Sequence, residues 1–150
     1  MAYQGKFQPK NPQKYRGDAS NIVYRSSWEL KLMATLDAHP DVIEWASEEI
    51  VIPYRSPIDG KLHRYFPDFY VKKRTMDGKI EQVLIEVKPE AQVREPKVQE
   101  TKNKKPSRKY IKEVTTYVTN QAKWESATEY CKDRNWKFQV MTEHDLGIKY

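Results

Sequence analysis

Two short strings, eighteen residues apart, hold the side chains of this sequence that could do chemistry together. Arg64-Tyr65-Phe66-Pro67-Asp68-Phe69-Tyr70-Val71 sets an acid behind a proline, and Gln82-Val83-Leu84-Ile85-Glu86-Val87-Lys88 ends on an acid and an ammonium. Both runs are apolar and β-branched, the composition of a buried strand. A charge buried without a partner is costly. Two carboxylates and a lysine placed in such strands point to a site that holds a divalent cation and activates water.

Strand geometry decides whether these groups can meet. Side chains alternate, so Glu86 and Lys88 share one face while Val83, Ile85 and Val87 share an apolar one. Phe69 and Val71 do the same on the earlier strand, leaving Asp68 with Phe66 and Tyr70. Thr75-Met76-Asp77-Gly78-Lys79 lies between. A two-residue turn on Asp77-Gly78 sets Asp68 opposite Val87, facing away from Glu86. A three-residue loop, Met76-Asp77-Gly78 with Gly78 left-handed, sets Asp68 directly opposite Glu86, with Cα atoms about 4.5–5.5 Å apart. The expectation is the three-residue loop with a bulge at Gly78. Blander readings stand beside it. Asp68 can cap a bend after Pro67, and Glu86 with Lys88 can be a solvated strand face holding a weak surface pair.

Other elements must position these strands. Ser26 or Ser27 caps a helix with Glu29 in its first turn; Trp28, Leu32, Ala34-Thr35 and Leu36 give it an apolar face, and it stops before Pro40. Residues 42–46 and 50–54 read as short strands, Ser56 to Gly60 as a turn, and 62–73 and 79–88 as longer strands. Residues 89–106 are polar and read as a mobile loop. Arg108 to Val118 reads as a helix. Asn120 caps a second one through about Arg134, with Trp124, Ala127, Tyr130 and Cys131 inward and Asn135 at its C-terminal cap. Residues 136–141 form a strand that can pair parallel to an earlier one through a right-handed crossover, and Thr142 to Gly147 closes on a turn of helix. The fold class is α/β: a mixed β-sheet flanked by helices.

The chain has 150 residues, 38% hydrophobic and 32% charged, which fits a single domain over 1–150. Residues 1–20 read as a basic N-terminal arm, packed only where Tyr3, Phe7 and Tyr15 find grooves. No apolar run approaches the ~20 residues that span a bilayer, and the opening residues lack the apolar stretch of a signal peptide. One cysteine, Cys131, excludes an internal disulfide, fits a reducing compartment and reads as a small core residue. His39, His63 and His144 show no zinc-ligand spacing, and the four tryptophans read as core. Glu48 and Glu49 read as an exposed turn. A net charge of +6 leans toward a polyanionic partner. Lys97, Lys102, Lys104, Lys105, Arg108 and Lys109 are the candidates for contacting a DNA backbone by counterion displacement.

Pro67-Asp68 followed by Glu86-Val87-Lys88, with Ser26-Ser27-Trp28-Glu29 upstream, resembles the PD-(D/E)XK nuclease superfamily. Adding Trp45 to Glu48, Ile52-Pro53-Tyr54 and Pro89, the order resembles the endonuclease subunits of cut-and-paste transposons. Across almost the whole chain, from Pro9-Lys10-Asn11 and Lys14 to Asp18 through Asn120 to Trp124 and Lys137-Phe138, it is similar to the head completion nucleases of T-even-type myophages. The resemblance implies a restriction-endonuclease-like core and an endodeoxyribonuclease acting on packaged DNA ends before neck and tail attachment. It also implies a place in the host cytoplasm during assembly and in the virion head, with portal or neck proteins as further partners. Asp68, Glu86, the Val87 carbonyl and Glu29 would ligate Mg²⁺, with Mn²⁺ as a substitute, and Lys88 would be catalytic. Two other functions stay open: a virion protein that binds DNA ends without cutting, and a resolvase or transposon-end nuclease.

Overall fold

The computed structural model describes residues 4–97 and 106–146. Strand β1 (Gly5–Phe7) pairs antiparallel with β2 (Ile22–Tyr24), and a 3-10 turn over Pro12–Lys14 lies between them. The expected basic arm over 1–20 is thus corrected for its described part: much of 4–20 is built into the fold. The signal was non-local. Asp37, 3% exposed, accepts the amides of Lys10 at 2.9 Å and Asn11 at 3.2 Å. Tyr15 is buried edge-on against Trp45, ring centroids 4.8 Å apart. Tyr3 lies outside the described residues.

Helix α1 (Ser27–Ala38) starts as its sequence dictates, with the Ser26 hydroxyl accepting the Glu29 amide at 3.1 Å. It buries Leu32, Met33, Leu36 and Asp37. Ala34 and Thr35, expected on the apolar face, are exposed; at 3.6 residues per turn they fall across the helix from that stripe.

Strand β3 (Val42–Ser47) follows, then β4 (Ile52–Arg55) and β5 (Leu62–Tyr65), which form their own antiparallel hairpin. The expected single strand over 62–73 is broken. Pro67 has no N–H for a ladder, and the chain crosses there from β5 to β6 (Phe69–Arg74) in the central sheet. β7 (Ile80–Val87) returns beside β6, with Phe69 across from Ile85 and Arg74 across from Ile80. The loop between them has the expected three residues: Thr75 N donates to Lys79 O at 2.8 Å, and Gly78 takes φ +81°.

After β7 comes a one-turn helix, α2 (Glu90–Val93), where the sequence read only loop. Helix α3 (Arg108–Asp133) is continuous, capped by Ser107, and corrects the expectation of two helices meeting at Asn120. Nothing between Arg108 and Asp133 is a glycine or proline. Asn120, Trp124, Ala127 and Cys131 are its buried residues, a run at helical spacing with the asparagine inside it. Asn135 closes the helix in the left-handed region (φ +58°), and Trp136 N donates back to Cys131 O at 2.8 Å. β8 (Lys137–Met141) then pairs parallel to β7.

The main sheet runs β3-β6-β7-β8. Leu32 and Leu36 of α1 face Val71, Val83 and Ile85 on one side. Leu84, fully buried on the other, has Cys131 of α3 against its backbone. Burial pushes the Cys131 thiol up to about 11, in keeping with an inert core residue. Trp45 and Trp124 are buried, whereas Trp28 and Trp136 are partly exposed. No helix among the described residues is long and apolar enough to cross a membrane.

Candidate active site

The β6–β7 register determines the site. Continuing the ladder one step past Phe69 and Ile85 places Asp68 across from Glu86, on one face. β6 has already ended there, so Val87 N–H finds no backbone acceptor and donates to Asp68 Oδ2 at 2.7 Å. The two carboxyls are within hydrogen-bonding reach of each other. Glu86 is 5% exposed and accepts a hydrogen bond from the Tyr65 hydroxyl at the end of β5. Burial first, and then the neighbouring Glu86 charge, push Asp68 up to about 8. Burial and the same carboxylate raise the Tyr65 phenol too, so it remains a donor.

Glu29 reaches the site from the first turn of α1. Its carboxylate accepts the Arg25 amide at 2.5 Å, and burial, with Asp68 and Glu48 nearby, raises its pKa. A cleft of about 430 Å³ is lined by Ser26, Trp28, Glu29, Asp68, Glu86 and Lys88 among others. The four acid and lysine positions singled out from the sequence are therefore gathered at one end of the sheet. Lys88 leaves β7 with its N–H bonded to Met141 O at 2.9 Å. Its ammonium lies close enough to Asp68 to favour the ionised carboxyl but makes no ion pair among the described residues.

Two nearby features escaped the sequence reading. Glu48, read there as an exposed turn, is partly buried and takes a left-handed φ of +54° at the end of β3. Its amide donates to Asp68 O at 3.1 Å, and its carboxylate accepts from Arg25 Nη1 at 2.5 Å. Glu48, Asp68 and Glu86 thus stand in a row across the ends of three adjacent strands. The second feature is a clasp just after Lys88. Glu143 is buried and accepts the Glu90 amide at 3.1 Å, and His144 Nε2 lies 2.5 Å from Glu90 Oε2. The left-handed residue and the clasp depend on partners distant in sequence, which no local pattern announces.

Among the described residues, none of the suggested DNA contacts lines this cleft. Arg108 and Lys109 are exposed in the first turn of α3, and Lys109 lines a separate cavity with Gln92 and Arg94. Lys97 is exposed; Lys102, Lys104 and Lys105 lie outside the described residues.

The donor set suits a hard divalent cation. Partly buried Asp68 and buried Glu86 stand within hydrogen-bonding reach of each other, and no protein cation is within ion-pair distance of either among the described residues. Oxygen ligands of this kind are what Mg²⁺ takes.

Comparison with known proteins bears on the family of the chain. The head completion nuclease of Enterobacteria phage T4 is 38% identical over 146 residues, covering 97% of this chain and 95% of that protein. Residues 39–143 match the family described as TnsA-like endonuclease N terminal, a stretch that holds Asp68, Glu86 and Lys88. With its mixed sheet, flanking helices and this match, the chain belongs to the TnsA-like endonuclease N-terminal family.

Proposed function

We propose that this protein is a Mg²⁺-dependent endodeoxyribonuclease of phage head completion, cutting packaged DNA ends before neck and tail are attached. The observation that carries the reading is the approach of partly buried Asp68 to buried Glu86, beside a lysine without an ion pair among the described residues. A pure DNA-binding protein has no use for that arrangement.

Asp68, Glu86, the Val87 carbonyl and Glu29 would hold the ion, and Mn²⁺ would substitute. The N–H and C=O of one strand residue point toward the same neighbour; Val87 N–H is aimed at Asp68, so its carbonyl opens on that side too. Bound there, Mg²⁺ supplies Lewis acidity to the scissile phosphate and lowers the pKa of a water. The chain's own groups do the rest. Lys88 orients the attacking water and offsets charge that builds on the phosphorus. The Tyr65 hydroxyl fixes one Glu86 oxygen, leaving the other free to ligate. The Val87 amide fixes Asp68 in the same way. The Glu143 clasp holds the backbone that follows Lys88. The products would be a 5′-phosphate and a 3′-hydroxyl.

The test is direct. Purified protein cuts duplex DNA with Mg²⁺ or Mn²⁺ and stops with EDTA. Asp68→Ala, Glu86→Ala and Lys88→Ala fold but do not cut. Folded variants at all three positions that retain full activity would refute the assignment. Pull-downs with portal and neck proteins test its assembly partners separately.

A further inference from the structure

A second hollow, about 280 Å³, lies against the α3 side of Glu86 and Lys88, and Arg64, Tyr65, Asn120 and Lys123 line it with them. We propose that this hollow is a phosphate subsite for the nucleic-acid backbone, with Asn120, Lys123 and Arg64 as its donors, beside the position where cleavage occurs. It rests on the nuclease reading above and deepens it, since it assigns residues that hold the substrate rather than cut it.

The first observation is Asn120. It is 4% exposed in the middle of a helix, and its Nδ2 has no hydrogen-bond partner among the described residues. Asparagine is a poor helix-interior residue, and a buried donor left unmade is unfavourable. Helix and core packing alone would favour an apolar side chain there. An acceptor arriving in the hollow accounts for the amide.

The second observation is charge. Lys123 lies one helical turn from Asn120. Its Nζ sits over the rings of Tyr54 and Tyr65, 5.8 and 5.7 Å from their centroids, and it makes no ion pair among the described residues. The rings hold the ammonium on the wall without consuming its N–H groups. Arg64 is exposed and likewise without an ion pair among the described residues. Of the two acids lining the hollow, Glu48 is held by Arg25, and Glu86 gives one oxygen to the Tyr65 hydroxyl and keeps the other for the ion in the neighbouring cleft. On the α3 side the unpartnered set is one of donors: the Asn120 Nδ2 and the Lys123 ammonium, with the exposed Arg64 guanidinium beside them. Phosphate oxygens, which only accept, match it.

The third observation is position. The catalytic cleft and this hollow share Glu86 and Lys88 as a common wall. An anion in the hollow therefore lies next to the reacting position and not in it. A strand running from one cavity into the other would put a neighbouring phosphate on Asn120 and Lys123.

The experiment uses full-length protein carrying Asp68→Asn, so that binding is read without turnover. Anisotropy of a labelled duplex is followed across salt concentrations. Lys123→Ala and Arg64→Ala are each expected to weaken binding several-fold and to lower the slope of log K against log salt by about 1. Asn120→Asp, which turns a donor into a repelling acceptor, is expected to weaken it about tenfold. Lys123→Arg restores the slope, and Lys132→Ala, exposed at the far end of α3, leaves it unchanged. Closed circular DNA, and linear DNA with and without 5′-phosphates, separate the two sources of the anion. Slope loss on circles assigns an internal phosphodiester; loss confined to phosphorylated ends assigns a terminal phosphate. Wild-type affinity and slope in folded Lys123→Ala and Arg64→Ala would overturn the subsite. Because cutting by the native chain with Mg²⁺ is measured separately, failure there sinks the nuclease reading instead.

Discussion

Val87 donates its backbone N–H to Asp68 Oδ2 at 2.7 Å, where β6 has run out and the strand beside it has not. That bond holds one carboxylate against another. Asp68→Asn keeps an acceptor for Val87 and removes the charge conflict with Glu86. Cleavage is expected to fall at least a hundredfold, while the metal-free protein melts at a higher temperature than the native chain at pH 8. Activity assays and thermal melts on the same samples check both.

The same pair sets a pH dependence. Asp68 is raised from an ordinary 3.8 to about 8, mainly by burial. The folded state therefore keeps a proton that the unfolded chain has released. The associated stability is present in full below about pH 4 and is lost as pH rises toward 8. Metal-free protein is expected to be more stable at pH 6 than at pH 8.5, and Asp68→Asn to flatten that trend. Saturating Mg²⁺ should give its largest stabilisation at the alkaline end, where no proton competes. Urea titrations at both pH values, with and without Mg²⁺, measure this.

Tyr65→Phe removes the donor to buried Glu86. A buried acceptor left unmet costs about 1–3 kcal/mol, so metal-free stability is expected to fall by at least that order and Mg²⁺ to recover part of it. Cleavage should need more Mg²⁺ for half-maximal rate. A metal titration of the cutting rate shows the shift.

Arg25→Ala breaks the bond to Glu48, whose partners are 57% and 35% exposed. Such a pair contributes about 0.2–1 kcal/mol, so a denaturation curve should barely move. Arg25 also holds Glu29 through its amide, which the substitution leaves in place.

The β6–β7 loop offers a sharper test. Gly78 has φ +81° with open space around a would-be Cβ, so Gly78→Ala costs only the left-handed conformation, about 1–2 kcal/mol. Deleting exposed Met76 is different: a one-residue register slip turns every β7 side chain to the opposite face. Glu86 would leave Asp68, and cutting is expected to be lost in a chain whose circular dichroism still shows helix and sheet.

The hairpin and its register were legible because alternation and one glycine fix them locally. So were the Ser26 cap, the Asn135 terminus and the parallel final strand. The N-terminal segment was not, because what holds it is Asp37, far along the chain. Asn120 was misread for a related reason. Its residue type favours a cap, while its place in the Asn120-Trp124-Ala127-Cys131 stripe buries it, and the stripe prevailed. At the site, the acids could be read from strand pattern; Tyr65, Arg25 and Glu48 meet them only once the sheet has assembled.

β7 is flanked on its second edge by β8, whose residues 137–141 arrive after the whole of α3. Lys88 is tethered to Met141, so its final position depends on a strand that lies beyond the whole of α3. A ribosome must finish both α3 and β8 before the strand bearing Glu86 gains its second neighbour. A polypeptide halted before Lys137 is expected to lack that support and to be harmless to nearby DNA, competence arriving only once β8 has docked.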